Sequence, residues 1–308
     1  MAQTCSKCSK PAITFIRYNG THLCADHFSQ FVRKRVKKDM KKQGGFPPNS
    51  RVAVAISGGK DSHVALFLVH EILKERKNIE LYAISVDEGI DNYRDESLII
   101  AKEFTKSLDV PHIITTFKDK IGYTMDQIST MKSDFIGACS YCGVFRRFCL
   151  NTTAKELGIT RLITGHNLDD IAQSILMNFV NADMEKLARL GPHEKVQPGL
   201  IPRMMILRSI PEKENVLFAL LNNITYHDGI CPYSPEAFRG VFSEIIYNLE
   251  EKNPGTRHSI LKSYDSIKEI LLAKYPPTTL HACKECGEPT THEYCKRCKL
   301  IFSLNNQK

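Results

Sequence analysis

Residues 52–62 read Val52-Ala53-Val54-Ala55-Ile56-Ser57-Gly58-Gly59-Lys60-Asp61-Ser62, an apolar run followed by small and polar residues. Five consecutive apolar residues are typical of a central parallel strand, and helical spacing continues from His63 to His70. The SGGKDS segment is therefore predicted at a strand-to-helix turn. Gly58 and Gly59 let the backbone approach phosphate oxygens, while Lys60 and the N–H groups of a helix N-terminus attract them. The turn is thus predicted to bind ATP.

The surrounding region alternates predicted strands with predicted helices, which indicates an α/β fold with a doubly wound parallel sheet. Strands are predicted at 51–57, 79–86, 112–117 and 161–165, and helices near 61–76, 94–108, 141–157 and 168–180. Three more helices are predicted near 212–222, 237–251 and 257–274. The segment GHNLDD at 165–170 follows a predicted strand. It should lie at the carboxyl edge of the sheet, where ligands of such folds bind.

Length and composition suit one sizeable α/β domain with small appendages, since the chain has 308 residues of which 42% are hydrophobic. No apolar run reaches about 18 residues, and the N-terminus carries cysteines where a signal peptide needs an apolar core. We therefore expect a cytoplasmic protein without a membrane segment. Gly- and Pro-rich residues at 44–49 and the pair Pro276-Pro277 suggest boundaries. The predicted domains are 1–48, 49–274 and 275–308.

Most of the 11 cysteines fall in CxxC pairs, which in a reducing compartment indicate metal binding. Two sets have the spacing of closed, tetrahedral, structural zinc sites: Cys5, Cys8, Cys24 and His27, and then Cys283, Cys286, Cys295 and Cys298. The alternative for each set is a redox disulfide or a chance grouping. Four cysteines remain, namely Cys139, Cys142, Cys149 and Cys231.

The net charge of +8 and the pI of about 8.8 fit a polyanionic partner. Basic residues concentrate in a predicted helix at 28–42, which includes Lys37, Lys38 and Lys41. This helix is predicted to contact phosphates of a folded RNA without reading bases. The alternative is a solvated surface helix.

Four motifs occur in order between the two metal-type sets: SGGKDS, CSYCGVFRR, TGHNLDD and CPYS. In SGGKDS the spacing between glycine and lysine is too short for the GxxxxGK[ST] loop of ordinary NTPases. The segment instead resembles the PP-loop of the N-type ATP pyrophosphatases. With all four motifs, nearly the whole chain resembles the tRNA 2-thiouridine synthetases of archaea, some bacteria and the eukaryotic cytosol. The resemblance implies a sulfurtransferase that adenylates the C2 carbonyl of a tRNA uridine, substitutes sulfur, and releases AMP and pyrophosphate. The motifs look closer to the group that modifies wobble uridine 34 than to the uridine 54 group.

The resemblance also implies roles for the nucleotide-binding residues. ATP and Mg²⁺ would be held by Ala55, Ser57, Gly58, Gly59, Lys60, Asp61, Ser62, Val86, Gly165 and Asp170. Lys60, Asp61 and Asp170 would take part in catalysis. For Asp169 and Asp170 the alternative is capping of a helix N-terminus, and we favour a functional role for Asp170.

By the same resemblance, Cys139, Cys142 and Cys231 would hold a 4Fe-4S cluster, whose fourth iron is then open to bind and deliver hydrosulfide. Arg146 and Arg147 would face anionic substrate, tRNA phosphate or the cluster, and the alternative for this pair is a solvated helix face. Cys149 would be a buried, inert thiol. A persulfide route through the same cysteines is the alternative. Expected partners are tRNA, a sulfur donor (sulfide, a desulfurase or a ubiquitin-like carrier) and a second copy of the chain. The rival functions are a 2-thiocytidine synthetase and a non-catalytic, zinc-stabilised RNA-binding protein.

Overall fold

The computed structural model describes residues 3–132, 136–193, 196–234 and 239–305. Its strands are β1 (Thr14–Ile16), β2 (Thr21–Leu23), β3 (Arg51–Ala55), β4 (Glu80–Asp87), β5 (His112–Thr116), β6 (Arg161–Ile163), β7 (Arg203–Met204), β8 (His281–Ala282) and β9 (Pro289–Thr290). Its helices are α1 (Ala25–Lys42), α2 (Lys60–Leu73), α3 (Arg94–Ser107), α4 (Phe117–Ile121), α5 (Met125–Met131), α6 (Ala138–Glu156), α7 (Leu168–Val180), α8 (Met184–Ala188), α9 (Glu212–Leu221), α10 (Arg239–Lys252), α11 (Thr256–Lys274) and α12 (Lys296–Asn305).

The central sheet has five strands in the order β5-β4-β3-β6-β7, and every pairing is parallel. Val54 of β3 lies opposite Ala83 of β4 on one side and Ile163 of β6 on the other. The order of the strands reverses between β3 and β6, so the carboxyl ends of these two strands border a crevice. The predicted doubly wound parallel sheet is confirmed.

Successive side chains of β3 point to opposite faces of the sheet. Because these side chains are apolar on both faces, helices cover both faces. Val54 belongs to the buried cluster that contains Leu66 of α2. Ala53 belongs to a second buried cluster, which contains Tyr141 and Phe145 of α6. Helix α6 packs against β4 and β5 on this face of the sheet.

Most predicted helices occur within a few residues of their predicted bounds. The main difference is α6, which begins at Ala138 rather than near 141 and so includes both cysteines of its CxxC motif. The sequence did not predict α5, which a capping box between Thr124 and Gln127 stabilises, nor α4, α8 and the short strand β7. The helix predicted from residue 237 is described only from Arg239 onward.

The terminal modules pack against the central domain. Phe28, Val32 and Val36 of α1 are fully buried at helical spacing and join the cluster that contains Val54. Leu300 and Leu304 of α12 join the cluster around α6. The domain limits at 48 and 275 therefore remain predictions, since apolar packing is continuous across both. Among the described residues, no helix combines the length and the apolar character needed to span a bilayer.

Candidate active site

A cavity of about 480 Å³ opens at the carboxyl ends of β3, β4 and β6. The predicted ATP-binding residues that line it are Ala55, Ser57, Gly59, Lys60, Asp61, Ser62, Val86, Gly165 and Asp170. Gly58 belongs to the same loop. Gly165 brings the loop after β6 against α2, since a Cβ there would lie 2.8 Å from the Ser62 backbone nitrogen. Segments remote in sequence thus form one concave site, the usual form of a small-molecule pocket.

Two serine hydroxyls hold the shape of the loop before α2. The Ser62 Oγ donates to the Gly59 carbonyl (2.7 Å) and accepts from the Ser57 backbone nitrogen (3.1 Å). The Gly59 backbone nitrogen donates to the Ser57 Oγ (3.3 Å). No side chain caps the N-terminus of α2, whose first residues, Lys60, Asp61 and Ser62, line the cavity. The serines therefore shape the loop and leave the helix terminus available to an anion.

The two glycines of the loop have different structural requirements. Gly58 has a φ of +88°, and a Cβ there would lie 2.4 Å from the carbonyl oxygen of Ser97. Gly59 has a φ of −79°, and its nearest neighbour would be the Ser57 Oγ at 3.5 Å, an ordinary contact. The fold thus requires glycine at 58, whereas it does not at 59.

We expect Gly58→Ala to lower the free energy of unfolding by about 2 kcal/mol or more, because it adds both left-handed strain and a clash. Gly59→Ala should stay within about 1 kcal/mol of the parent protein but lose ATP affinity, because its methyl group occupies space needed by a phosphate. Urea denaturation and calorimetric ATP titration measure the two effects. Unchanged ATP affinity in Gly59→Ala would contradict the assignment of this loop.

Charged groups crowd one wall of the cavity. The Lys60 Nζ lies 2.9 Å from the Glu212 Oε1 and 3.3 Å from the Asp61 Oδ2. Asp61 accepts from the amides of Asn167 (3.2 Å) and Asn215 (2.9 Å). Burial raises the pKa of Asp61 to about 6, with Lys60 opposing the shift and neighbouring carboxylates adding to it. Burial works to lower the pKa of Lys60, but Asp61 and Glu212 outweigh it, so that the pKa is raised.

The two acidic residues at the start of α7 differ in position. Asp170 forms a capping box with Asn167, and its Oδ1 also pairs with Arg239 (3.2 Å) at the cavity wall. Asp169 pairs with Arg257 (2.6 Å), accepts from the Glu212 backbone nitrogen (2.8 Å) and does not line the cavity. Asp170 therefore caps α7 and also lines the cavity. Asp169 instead joins α7 to Arg257 and to the start of α9.

A buried ion-pair network joins the loop to the cysteines, and we did not predict it. Glu88, with 4% of its side chain exposed, pairs with Arg94 (2.9 Å) and Arg146 (2.8 Å). Arg94 donates to the Ser57 carbonyl (2.7 Å), and Arg146 donates to the Cys142 Sγ (3.3 Å). An acidic residue directly after β4, at the carboxyl edge, was the available signal.

Other cavity residues that were not predicted include Thr164 and His166, which lie within the TGHNLDD motif. Outside the quoted motifs, the cavity also includes His227, Asp228, Gly229 and Arg239, while Glu212 contacts Lys60 and Asn215 contacts Asp61. His227 shows why the segment before Cys231 belongs to the site, since its backbone nitrogen donates to the Gly58 carbonyl (2.9 Å).

The structure brings Cys139, Cys142 and Cys231 to neighbouring positions. The Cys139 Sγ donates to the Tyr233 carbonyl (3.4 Å), so the first turn of α6 contacts the segment that carries Cys231. Cys139 is exposed, while Cys142 and Cys231 are half-buried. Burial raises the pKa of Cys142 to about 11, with Glu88 and Cys231 adding to the shift and Arg146 opposing it. This thiol is therefore neutral unless a metal binds it.

The other predicted residues on α6 take different positions. Cys149 is fully buried, as predicted, and burial raises its pKa to about 12. Arg146 lines the first cavity, which we name the nucleotide cavity after the predicted ATP-binding residues in its wall. Arg147 instead lines a second cavity on another side of the helix. The two neighbouring arginines thus do not share one ligand.

Both predicted four-ligand sets are assembled. In each, the ligand atoms all lie within 4.8 Å of one another: Cys5, Cys8, Cys24 and His27 in one set, and Cys283, Cys286, Cys295 and Cys298 in the other. In the first set, the His27 Nδ1 lies 3.4 Å from the sulfurs of Cys5 and Cys24. Each set can hold one metal ion.

The basic helix α1 divides its cations into two groups. Arg33 pairs with Glu71 (2.8 Å) and Arg35 with Glu214 (2.7 Å), so both are used within the fold. Its lysines are exposed at positions 34, 37, 38, 41 and 42. The predicted RNA-contacting residues Lys37, Lys38 and Lys41 are therefore available to a partner.

Comparisons with known proteins agree with this geometry. The PP-loop domain family matches residues 28–203, and the N-terminal LIM domain of 2-thiouridine synthetase TtuA matches residues 4–29. The chain is 38% identical to the tRNA 2-thiolation protein NcsA of Haloferax volcanii, covering 97% of this chain and 98% of the relative. It is 36% identical to the cytoplasmic tRNA 2-thiolation protein 1 of Aspergillus niger, covering 99% of this chain and 89% of the relative.

Among solved structures, the U34-tRNA thiolase NcsA of Methanococcus maripaludis with its [4Fe-4S] cluster is similar, with a TM-score of 0.85 and 36% identity. The similarity covers 97% of this chain and 96% of that one. From the nucleotide cavity, the adjoining cysteines and these end-to-end similarities, the chain belongs to the family of PP-loop tRNA 2-thiolation proteins.

Proposed function

We propose that this protein is an ATP-dependent sulfurtransferase that replaces the C2 oxygen of a tRNA uridine with sulfur and releases AMP and pyrophosphate. The observation that carries the proposal is the position of Arg146, which lines the nucleotide cavity and also donates to Cys142. An activated carbonyl and a sulfur source can therefore meet at one place. The names of the relatives in archaea and eukaryotes support the same activity.

ATP is bound at the loop before α2. The N–H groups at the start of α2 and the ammonium of Lys60 would hold the phosphates. Binding a phosphate would replace the contact that Lys60 makes with Glu212 in the structure. Asp61 and Asp170 would hold Mg²⁺, because oxygen ligands from one or two carboxylates suit this ion. A bound cation also removes the repulsion that contributes to the raised pKa of Asp61. The α-phosphate is then positioned for attack by the uridine oxygen.

Cys139, Cys142 and Cys231 would hold the 4Fe-4S cluster. The donor set fits, since three thiols from α6 and the Cys231 segment converge beside a cation that donates to sulfur. When bound with three thiolates, such a cluster supplies an open iron site for sulfide. Arg146 stabilises thiolate charge at Cys142 and, from the cavity wall, the negative charge that develops on the adenylated uridine. Glu88 holds Arg146 in this position.

The two terminal sets would each hold a structural zinc ion. Ligands at tetrahedral zinc distances are separated by about 3.6 to 3.8 Å, for a sulfur–nitrogen and a sulfur–sulfur pair respectively. The corresponding separations are 3.4 Å for Cys5 and His27, 3.8 Å for Cys8 and Cys24, and 3.5 Å for Cys286 and Cys295. Four protein ligands leave no open position, which fits a structural role.

We further propose wobble uridine 34 as the target, because the similar protein of Methanococcus maripaludis is a U34-tRNA thiolase. The eukaryotic relatives are named as cytoplasmic proteins, and we propose that compartment here. The sulfur donor would be sulfide, a desulfurase or a ubiquitin-like carrier. For the proposed homodimer, α10 offers an exposed apolar stripe of Val241, Ile245 and Leu249 at four-residue spacing.

The test is anaerobic purification followed by an assay with ATP, sulfide and tRNA transcripts. We expect brown protein with about four irons and about two zinc ions per chain, tRNA-dependent AMP release, and 2-thiouridine at position 34 by nucleoside mass spectrometry. Cys231→Ala should lose both colour and thiolation, whereas the control Cys149→Ala keeps both. Colourless protein that thiolates at full rate would refute the cluster and favour a persulfide route. A transcript with uridine only at position 54 separates the two targets.

A further inference from the structure

A second cavity, of about 650 Å³, lies between α6, the segment 196–203 and the C-terminal module. Arg146 and Leu150 of α6 line the nucleotide cavity, while Arg147 and Asn151 line this one, so the helix separates the two. Much of the wall is apolar, formed by Val144, Phe148, Leu200, Ile201, Leu280 and Pro289. Its volume falls in the range of sites that hold one small ligand.

Hydrogen bonds from Asn151 and Gln197 join the walls of this cavity to one another. Asn151, only 7% exposed, donates to the Gly199 carbonyl (3.1 Å) and the Glu288 carboxylate (2.5 Å). Its side-chain oxygen accepts from the Ile201 backbone nitrogen (3.0 Å). The amide of Gln197 makes two more hydrogen bonds to the backbone leading into the C-terminal module (2.7 and 2.8 Å). These bonds keep the walls apart at fixed positions.

The cavity contains cations whose charge is not neutralised. Among the described residues, neither Arg147 nor Arg203 has an ion pair, and no hydrogen bond to either guanidinium group is found. Glu288 is the one carboxylate among the described lining residues, and Lys155 (3.0 Å) already pairs with it. Burial and the charge of Arg147 lower the pKa of Arg203 to about 10. Two repelling arginines in a preformed pocket favour an anionic ligand.

We propose that this cavity binds one nucleotide of the tRNA substrate, with a backbone phosphate at Arg147 and Arg203 and the base against the apolar wall. The inference rests on the proposed function and extends it, because it places RNA on the side of α6 opposite ATP. Phosphate suits neighbouring guanidinium groups, and an apolar wall suits a base. A concave pocket of this size admits a nucleotide, whereas an acidic protein surface would need an open face.

The test compares the double variant Arg147→Gln/Arg203→Gln with the control Arg17→Gln/Arg51→Gln. The control removes the same charge from exposed arginines that are already paired with Glu251 and Glu80. Binding of an unmodified tRNA transcript is measured without ATP across a salt series. We expect the Kd of the double variant to rise at least about tenfold, with the slope of log K against log salt reduced by about 0.7, the value for one phosphate contact. For the control variant, the Kd and the slope against salt should both stay close to those of the parent protein.

Two further readouts decide the outcome. The melting temperature of the double variant should not fall, because the substitution removes repulsion between two cations that have no ion pair among the described residues. The stabilisation by added ATP should be unchanged. A lower melting temperature would assign the arginines a structural role and overturn the inference. Equal tRNA affinity in the double variant and the parent protein would overturn it too, as would an equal loss in the control. Failure of the parent protein to bind tRNA would instead contradict the proposed function.

Discussion

Asp61→Ala should reduce ATP-dependent AMP formation by at least about a thousandfold, because a carboxylate that positions the metal and phosphates acts directly on the charge of the transition state. The expected loss lies in the rate of AMP formation, measured with saturating tRNA and Mg²⁺. Asp265→Ala, on α11 and outside the cavity, is the matched control and should retain the parent rate. Release of AMP by Asp61→Ala at more than about a tenth of the parent rate would remove Asp61 from the mechanism.

The same substitution should change the pH dependence of stability in the metal-free protein. The pKa of Asp61 is raised from 3.8 to about 6, so the fold disfavours its ionised form. The resulting cost is absent below pH 4, grows as the pH rises from about 4 to about 6, and persists above. Between pH 4 and pH 7, the stability of Asp61→Ala should therefore improve relative to the parent protein by up to about 3 kcal/mol.

Urea denaturation at several pH values in the presence of a chelator measures this difference. Asp183→Ala provides a control of opposite sign, because the hydrogen bond from Lys186 lowers the pKa of Asp183. Its relative stability should decline as the pH rises through the acid range. A parallel pH dependence for Asp61→Ala and the parent protein would show that the fold does not disfavour the charge on Asp61.

Glu88→Ala should lower the free energy of unfolding by about 3 to 5 kcal/mol, since it leaves Arg94 buried without a counter-charge. Glu80→Ala is the control, because Glu80 and Arg51 form an exposed pair that should contribute little to the free energy of unfolding. Denaturant titration compares the two. Similar small losses in both variants would mean that the Glu88 network does not stabilise the fold.

Because Glu88→Ala can unfold the protein outright, Glu88→Gln provides the functional test. A glutamine keeps one acceptor for Arg94 but weakens its hold on the Ser57 carbonyl. ATP affinity should fall about tenfold, the size of one lost charge-assisted hydrogen bond. The Cys142 thiol should also titrate differently once Arg146 is less restrained. Unchanged ATP affinity and thiol titration would separate the network from both centres.

The fold class and the two terminal ligand sets were predictable because their signals are local. Five apolar residues before SGGKDS predict a parallel strand and a phosphate-binding turn, and the sheet has that strand at its centre. Ligands three residues apart, as in Cys5 and Cys8 or Cys283 and Cys286, meet in a single turn, and both sets do assemble. Short-range patterns succeed here because backbone conformation and ligand spacing depend on neighbouring residues.

Other features depended on residues that meet only through packing. Family resemblance was needed to group Cys231 with the cysteines of α6, and a backbone hydrogen bond from His227 to Gly58 explains that proximity. Glu88 belongs to none of the sequence motifs. In the structure it forms ion pairs with Arg94 and Arg146, and only 4% of its side chain is exposed. Arg146 and Arg147 line different cavities because they lie on different sides of α6.

Local residue patterns thus predict the phosphate-binding turn, the individual strands of the sheet and the CxxC pairs of the terminal ligand sets, because each of these signals lies within a few residues. The assembly of the cavity, its ion-pair network and the pocket behind α6 require the packed chain. Those features join side chains that are tens of residues apart in the sequence. Their pKa values are shifted by burial, and that burial arises only when several segments pack together.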